Sequence, residues 1–368
     1  MKKCLFAVFV ILAVFSFVGC GRGGYDDEDI DFSFADMTLP ELTPPPTEPE
    51  TEPEPEPESP PAGMAISRLT GLYICEEAYA RRPFAVVYNN EPRAMPQMGL
   101  MQASIIYEML SESAITRLVA IFQDFDAEMI GPIRSSRHYM ARIAADHRAV
   151  FVHHGNSPQG GAAIGQHGLY RVDGMVYDGS VIWRDPVRRA ERGLEHSSFT
   201  SAENLLELTQ RRGNNMDAPD NLGLFEFFDE PTAPSPNNVA NIVNIPFHGS
   251  NVSVFRYCEE NYTYYKYIFG AAHMDDYAGV QISVTNILVQ VANIYIIPGD
   301  PEGRRNIGLI GEGHGYLVTH GTYTRVRWEK PDDSQPTRWF WDNGNPLEVN
   351  RGITWISIIS GQPTFLEE

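Results

Sequence analysis

Residues 115–158 read ITRLVAIFQDFDAEMIGPIRSSRHYMARIAADHRAVFVHHGNSP, and this stretch decides how the first half of the chain is understood. Two apolar runs, Leu118–Phe122 and Ala149–Val152, have the unbroken hydrophobicity of parallel strands buried on both faces. Between them Gly131-Pro132 leads into a helix expected over Ser135–Arg148. Met140, Ile143, Ala144 and His147 share one face of that helix, and Arg142 lies on the other, where it reads as a solvated residue. In open α/β sheets the crevice outside the strand ends is where ligands bind. Arg117, Arg134, Ser135, Arg137 and His153 cluster around those ends, and Arg184 in the later run Trp183-Arg184-Asp185 joins them as a candidate. Arginines beside serines at a helix start suit an anionic group, a phosphate or a carboxylate. The competing reading pairs these arginines with Glu108, Glu112 or Asp124. His153 and His154 are adjacent on a strand and must point to opposite faces, so at most one of them serves the crevice.

Outward from this stretch, Pro83–Tyr88 reads as a strand, while Ala103–Leu110 carries both helix and strand character. Ser157 and Pro158 have the chemistry of an N-cap and first helical position. Thr200 followed by Glu203 reads as a capping box before Leu205–Leu208. A segment at 213–238, rich in Asp, Pro and Asn, reads as a linker that packs locally. Beyond it the pattern turns to β: Asn251–Phe255, Tyr262–Ile268, Gln281–Ile297, Tyr323–Trp328 and Thr354–Ile359 are β-branched and aromatic. His320-Gly321 and Asn343-Gly344 sit where hairpin turns belong. The fold class expected is α+β, an N-terminal α/β sandwich domain at 66–212 followed by a mainly antiparallel β domain at 239–368.

The N-terminus carries a different message. Lys2 and Lys3 precede the apolar run Leu5–Val18, which ends in Phe17-Val18-Gly19-Cys20. A basic start, a short apolar core and small residues before the break describe a secretory signal. The cysteine makes residues 1–20 look like a bacterial lipoprotein signal peptide, with Cys20 expected to be lipidated as a membrane anchor. The core is short for a transmembrane span. Residues 21–65 follow as an acidic tether containing PPPTEPETEPEPEPESPP, whose prolines and like charges favour an extended, disordered spacer. The chain's net charge of −20 is concentrated here, since 25–60 holds thirteen acidic residues and no Lys or Arg. With no basic face to release counterions, nucleic acid is not expected as a partner. Cys75 and Cys258, the remaining cysteines, read as two separate thiols.

Three stretches carry a family resemblance: LTGLYICEEAYARRPFAVVYNNEPRAMPQMGL, IIYEMLSESAITRLVAIFQ and GPIRSSRHYM. In these the chain resembles the YerB-like bacterial lipoproteins, whose globular part is a two-part domain of unknown function. The resemblance extends to NGNPLEVNRGITWI near the end, and implies an extracytoplasmic lipoprotein on the cell membrane without supplying a chemistry. An arginine before a strand followed by Pro-x-Arg is also similar to the LytR-CpsA-Psr phosphotransferases, in which arginines hold a polyprenyl pyrophosphate. Arg117 and Arg134 match that pattern, but Leu118 and Ser135 stand where those enzymes carry aspartates.

Elsewhere the chemistry-bearing motifs have plain readings. Gly311–Gly315 lacks the closing Lys-Ser/Thr of a phosphate loop and reads as a wide hairpin turn. His273 and Asp275 have no third ligand at helpful spacing, so no metal or cofactor is expected. Trp328, Trp339, Trp341 and Trp355 read as core and sheet-face residues before they read as a sugar platform. The expected function is therefore an anchored lipoprotein that binds an anionic envelope ligand or a protein partner, with an enzyme acting on a phosphorylated envelope substrate as the alternative.

Overall fold

In the computed structural model, residues 60–220 and 222–368 are described. The expected signal peptide at 1–20, Cys20 and nearly all of the expected tether at 21–65 lie outside them. The first half supplies strands β1 (Phe84–Asn90), β2 (Ile105–Leu110), β3 (Thr116–Phe122), β4 (Val150–His153) and β5 (Arg171–Asp173). Its helices are α1 (His138–Asp146), α2 (Pro158–Gln166), α3 (Pro186–Arg192) and α4 (Ala202–Arg211). Ala103–Leu110, ambiguous in sequence, resolves to a strand because Ile106 and Leu110 pack one face of the sheet while Ile105, Tyr107 and Met109 pack the other.

The second half is mainly antiparallel β. It contains β6 (Ile242–His248), β7 (Asn251–Cys258), β8 (Thr263–Ile268), β9 (Asn286–Val291), β10 (Gly311–Thr319), β11 (Thr322–Lys330), β12 (Arg338–Trp341), β13 (Thr354–Ile359) and β14 (Thr364–Leu366). The fold is thus an α/β region followed by a mostly antiparallel β region, yet the two are not separate layers. A ten-stranded sheet runs β12-β11-β10-β9-β13-β2-β3-β1-β4-β5 through both of them. Strand β13 seals the join, parallel to β9 on one side and to β2 on the other. One face of this sheet is covered by α1 and α2, with Tyr139, Met140 and Ile143 wholly or nearly buried. The other face packs against a smaller sheet ordered β8-β7-β6-β14, which brings Val243, Ile245, Phe255 and Tyr264 onto Val289 and Trp355.

Several expectations change. Leu118–Phe122 was expected in a parallel sheet with Ala149–Val152, but β3 runs antiparallel to both neighbours, and β1 lies between it and β4. A run buried on both faces is apolar throughout whichever way its neighbours point, so hydrophobicity did not distinguish the two cases. The helix is shorter than Ser135–Arg148, because Arg134 and Ser136 are held by backbone bonds to Val87 and Gly155 before α1 begins. Ser201, rather than Thr200, caps α4 by accepting from the Asn204 amide, while the Thr200 hydroxyl donates to the Val181 carbonyl. Gly311–Gly315 forms the first part of β10 and is not a turn. The 213–238 segment does pack: Leu222, Leu224 and Phe225 enter the core and Glu226-Phe227 pairs with Glu348-Val349. Ser157 caps α2 by accepting from the Gly160 amide, with Pro158 at the first helical position.

Candidate functional site

The arginines part into two groups. Arg117, at the start of β3, is 4 % exposed and donates to Glu112 Oε2 at 3.0 Å and to the Ser135 carbonyl at 2.8 Å. Arg137, the residue preceding α1, donates through Nε to Glu112 Oε1 and through NH1 to the Ser136 carbonyl at 2.7 Å. Glu112 therefore lies between two guanidiniums. Burial by itself pushes its carboxyl up, but Arg117 and Arg137 outweigh that and hold its pKa at about 2. Burial, followed by the repulsion of Arg137, lowers Arg117 to about 10 despite the carboxylate. The Ser135 side chain only touches Arg137 NH1, at 3.4 Å. This half of the cluster is the ion-paired arrangement, with Glu112 as the partner.

Arg134 and Arg184 meet elsewhere, on the turn Leu194–His196. Arg134 NH2 donates to Glu195 Oε2, and Arg184 NH1 donates to the Leu194 carbonyl at 2.7 Å. The Asn89 amide at the end of β1 reaches the Glu195 carbonyl at 3.3 Å and His196 Nδ1 at 3.0 Å. Arg184 NH2 also donates to His154 Nε2 at 2.6 Å. That contact makes Nε2 an acceptor, so Nδ1 carries the proton and donates to Ser198 Oγ at 2.9 Å. Burial and the Arg184 charge both lower the His154 pKa, consistent with this neutral form. Asp178 completes the rim with a 3.3 Å contact to Arg184 Nε. The Glu195 side chain is 61 % exposed, whereas Arg134 is largely covered.

His153 lies on the opposite face, as adjacent strand residues must. It is fully buried against Phe151, its Nδ1 is 2.9 Å from the Gly155 carbonyl, and its pKa is lowered by burial. The candidate on the rim is therefore its neighbour. Strand parity reduced the pair to a choice, and only the neighbouring strands decided it. Glu195 is not singled out by its sequence, and Ser198 stands out only as part of the Ser197-Ser198 stretch that departs from the family resemblance. Asn89-Asn90 reads in sequence as a loop signal after the apolar run, but both residues lie within β1, paired with Arg117 and Thr116. Glu195 arrives from 61 positions beyond Arg134 with no local pattern.

Other polar candidates serve the fold. Asp275 accepts from the backbone amides of Gly99 at 2.9 Å and Met101 at 2.7 Å, and His273 Nε2 faces Gln97 Oε1 at 2.6 Å. Among the described residues no three His, Cys, Asp or Glu side chains gather as metal ligands. Trp328, Trp339 and Trp355 are buried in the core. Arg142, read as solvated, instead donates to Asp333 Oδ1 at 2.8 Å and ties α1 to the loop after β11. Cys75 and Cys258 are free thiols. The principal cavities are lined by side chains other than these arginines.

A mixed ten-stranded sheet shared by an α/β half and a β half, with an arginine-bearing rim at the strand ends, defines a two-part α+β protein. Residues 69–215 match the family described as "Protein of unknown function (DUF3048) N-terminal domain" and residues 243–356 match its C-terminal domain; the chain belongs to this family. It is 32 % identical over 295 residues, 79 % of this chain and 85 % of the relative, to "Putative lipoprotein YerB" of Bacillus subtilis (strain 168). The crystal structure of YerB protein from Bacillus subtilis matches with a TM-score of 0.70 at 29 % identity, covering 82 % of this chain and 99 % of that one. Among the described residues no helix is long and apolar enough to cross a membrane.

Proposed function

We propose that this protein is an extracytoplasmic lipoprotein, anchored to the bacterial cell membrane through Cys20, that binds an anionic envelope ligand on the Arg134–Arg184 rim without turning it over. The observation that carries this reading is the division of labour among the arginines. Arg117 and Arg137 are committed to Glu112, while Arg134 and Arg184 converge on one turn. There a mostly solvated carboxylate, Glu195, stands where a ligand carboxylate or phosphate would sit. Only the Glu195 side of this pair is mostly solvated, so its carboxylate can return to water when a ligand anion takes its place on Arg134.

The phosphotransferase alternative needs Arg117 free to hold a pyrophosphate. Its burial and its bonds to Glu112 and Ser135 favour binding over catalysis. The test is titration of the detergent-solubilised full chain with inorganic phosphate. Parent protein should be stabilised by the anion, and Arg134→Ala should lose roughly 1.5–3 kcal/mol of that binding, the scale of a charge-assisted hydrogen bond. No phosphate-dependent stabilisation of the parent, together with a clear fall in the unliganded melting temperature of Arg134→Ala, would make Arg134 a structural residue. Release of product from labelled lipid-linked precursors would instead favour the enzyme.

A further inference from the structure

Far along the chain, two turn tips each carry a ring where a small residue would sit more easily. Tyr262 closes the turn between β7 and β8 at φ +56°, and His320 opens the turn between β10 and β11 at φ +51°. Left-handed backbone favours Gly and is tolerated by Asn, Asp and His, so the strain falls on Tyr262, where it costs roughly 1–2 kcal/mol. The two rings stack on each other, with centroids 4.5 Å apart and planes inclined by 20°, yet Tyr262 remains 48 % exposed. They form a wall shared by two cavities, one of about 210 Å³ and one of about 480 Å³.

The smaller cavity is also lined by Asp229, Glu230, Asn261 and Arg351. Asp229 and Arg351 are 3.9 Å apart and well exposed, so their mutual attraction is weak and both remain available to a ligand. Asn261 is spent within its own turn, donating to Tyr265 Oη and accepting from Thr263. Carboxylates that accept and a guanidinium that donates nevertheless suit vicinal hydroxyl groups, which donate and accept in turn. A half-exposed aromatic ring offers an apolar face for the C–H side of such a molecule. Glu259 on the larger cavity adds to an acidic balance that disfavours anions. We propose that the Tyr262–His320 wall belongs to a binding site for a neutral polyhydroxylated ring, a saccharide unit, separate from the Arg134 rim. Strained backbone held at a site of exposed recognition groups is the pattern expected when the ring is kept for binding.

The test uses the detergent-solubilised full chain, titrated calorimetrically with neutral tetrasaccharides of glucose, mannose, galactose and N-acetylglucosamine, and with the amine-bearing glucosamine tetramer. Tyr262→Asn keeps a residue that tolerates the left-handed turn and removes the phenol ring. Parent protein should bind at least one neutral oligosaccharide. Tyr262→Asn should weaken that binding tenfold or more, with an unchanged or higher melting temperature and unchanged phosphate binding. The proposal is overturned if no neutral oligosaccharide binds, or if only the amine-bearing one does. It is overturned equally if Tyr262→Asn lowers the melting temperature while leaving saccharide affinity intact, since the ring would then be holding the two turns together.

Discussion

Lys266 Nζ lies 3.1 Å from Glu108 Oε2, and neither side chain reaches solvent. The lysine comes from β8 in the second half and the glutamate from β2 in the first. Ser253 Oγ donates to the same carboxylate oxygen at 2.8 Å and accepts from Lys266 Nζ at 2.6 Å. Asn90 and Thr116 satisfy the other carboxylate oxygen at 2.9 and 3.1 Å. Burial pulls the Lys266 pKa down, and Glu108 opposes it. The ammonium also lies 4.6 Å from the centroid of Trp355 and 5.0 Å from that of Phe255.

Removing one member of this pair should be far worse than removing both. Lys266→Met leaves a carboxylate buried without its cation and should cost about 3–5 kcal/mol in chemical denaturation. Adding Glu108→Leu to that variant should recover much of the loss. A Lys266→Met protein as stable as the parent would mean the pair contributes nothing to folding.

Glu112 should make the protein acid-sensitive in a defined window. Its folded pKa of about 2 lies below the ordinary 4.5, so its contribution is fully present above pH 4.5 and is lost as pH falls toward 2. The shift corresponds to at most about 3–4 kcal/mol, less what solvent screening removes at a partly exposed carboxyl. Glu112→Gln should therefore be less stable than the parent at neutral pH, and the gap should close below pH 4.5. Buried His147, lowered to about 3 from 6.5, acts with the same sign and starts earlier, its contribution falling as pH drops below 6.5. That background is common to both proteins and cancels in the comparison of melting curves across pH.

The end of β11 and the loop after it are held to α1 by ion pairs of unequal worth. Asp333, partly exposed, takes the Arg142 contact, whereas Lys330 and Asp146 are almost fully buried. Asp333→Ala should cost about 1 kcal/mol or less. Lys330→Met should cost about 3 kcal/mol or more, because it leaves Asp146 buried beside Thr337 alone. Equal melting temperatures for the two variants would refute this ranking.

At the N-terminus, Cys20→Ser should move the protein from the membrane fraction to the soluble extracytoplasmic fraction of a bacterial host. Equal membrane retention of variant and parent would remove the lipid-anchor reading.

Much of the architecture was legible locally. The apolar run of β3, the cap at Ser157 and the hairpin at His320-Gly321 each depend on interactions within a few residues, and each appears near its expected place. The site was legible only in part. Arg117, Arg134 and Arg137 were marked as a group by their position near strand and helix ends. Their sorting onto Glu112 and Glu195 depended on a carboxylate five positions away and another beyond α3. Glu108 was a plausible arginine partner on charge alone, but a lysine 158 positions later occupies it.

From sequence alone came the α/β character of the first half, the β character of the second and the expectation of a lipoprotein-type N-terminus. All three rest on composition and short-range periodicity, which a chain displays whatever lies beside it. Only the tertiary structure decided that both halves share one sheet, with β13 inserted between β9 and β2. Hydrophobicity tells that a strand is buried on both faces, but every strand edge presents the same N–H and C=O groups. The neighbour that pairs with them is chosen by how all the apolar faces can be covered at once.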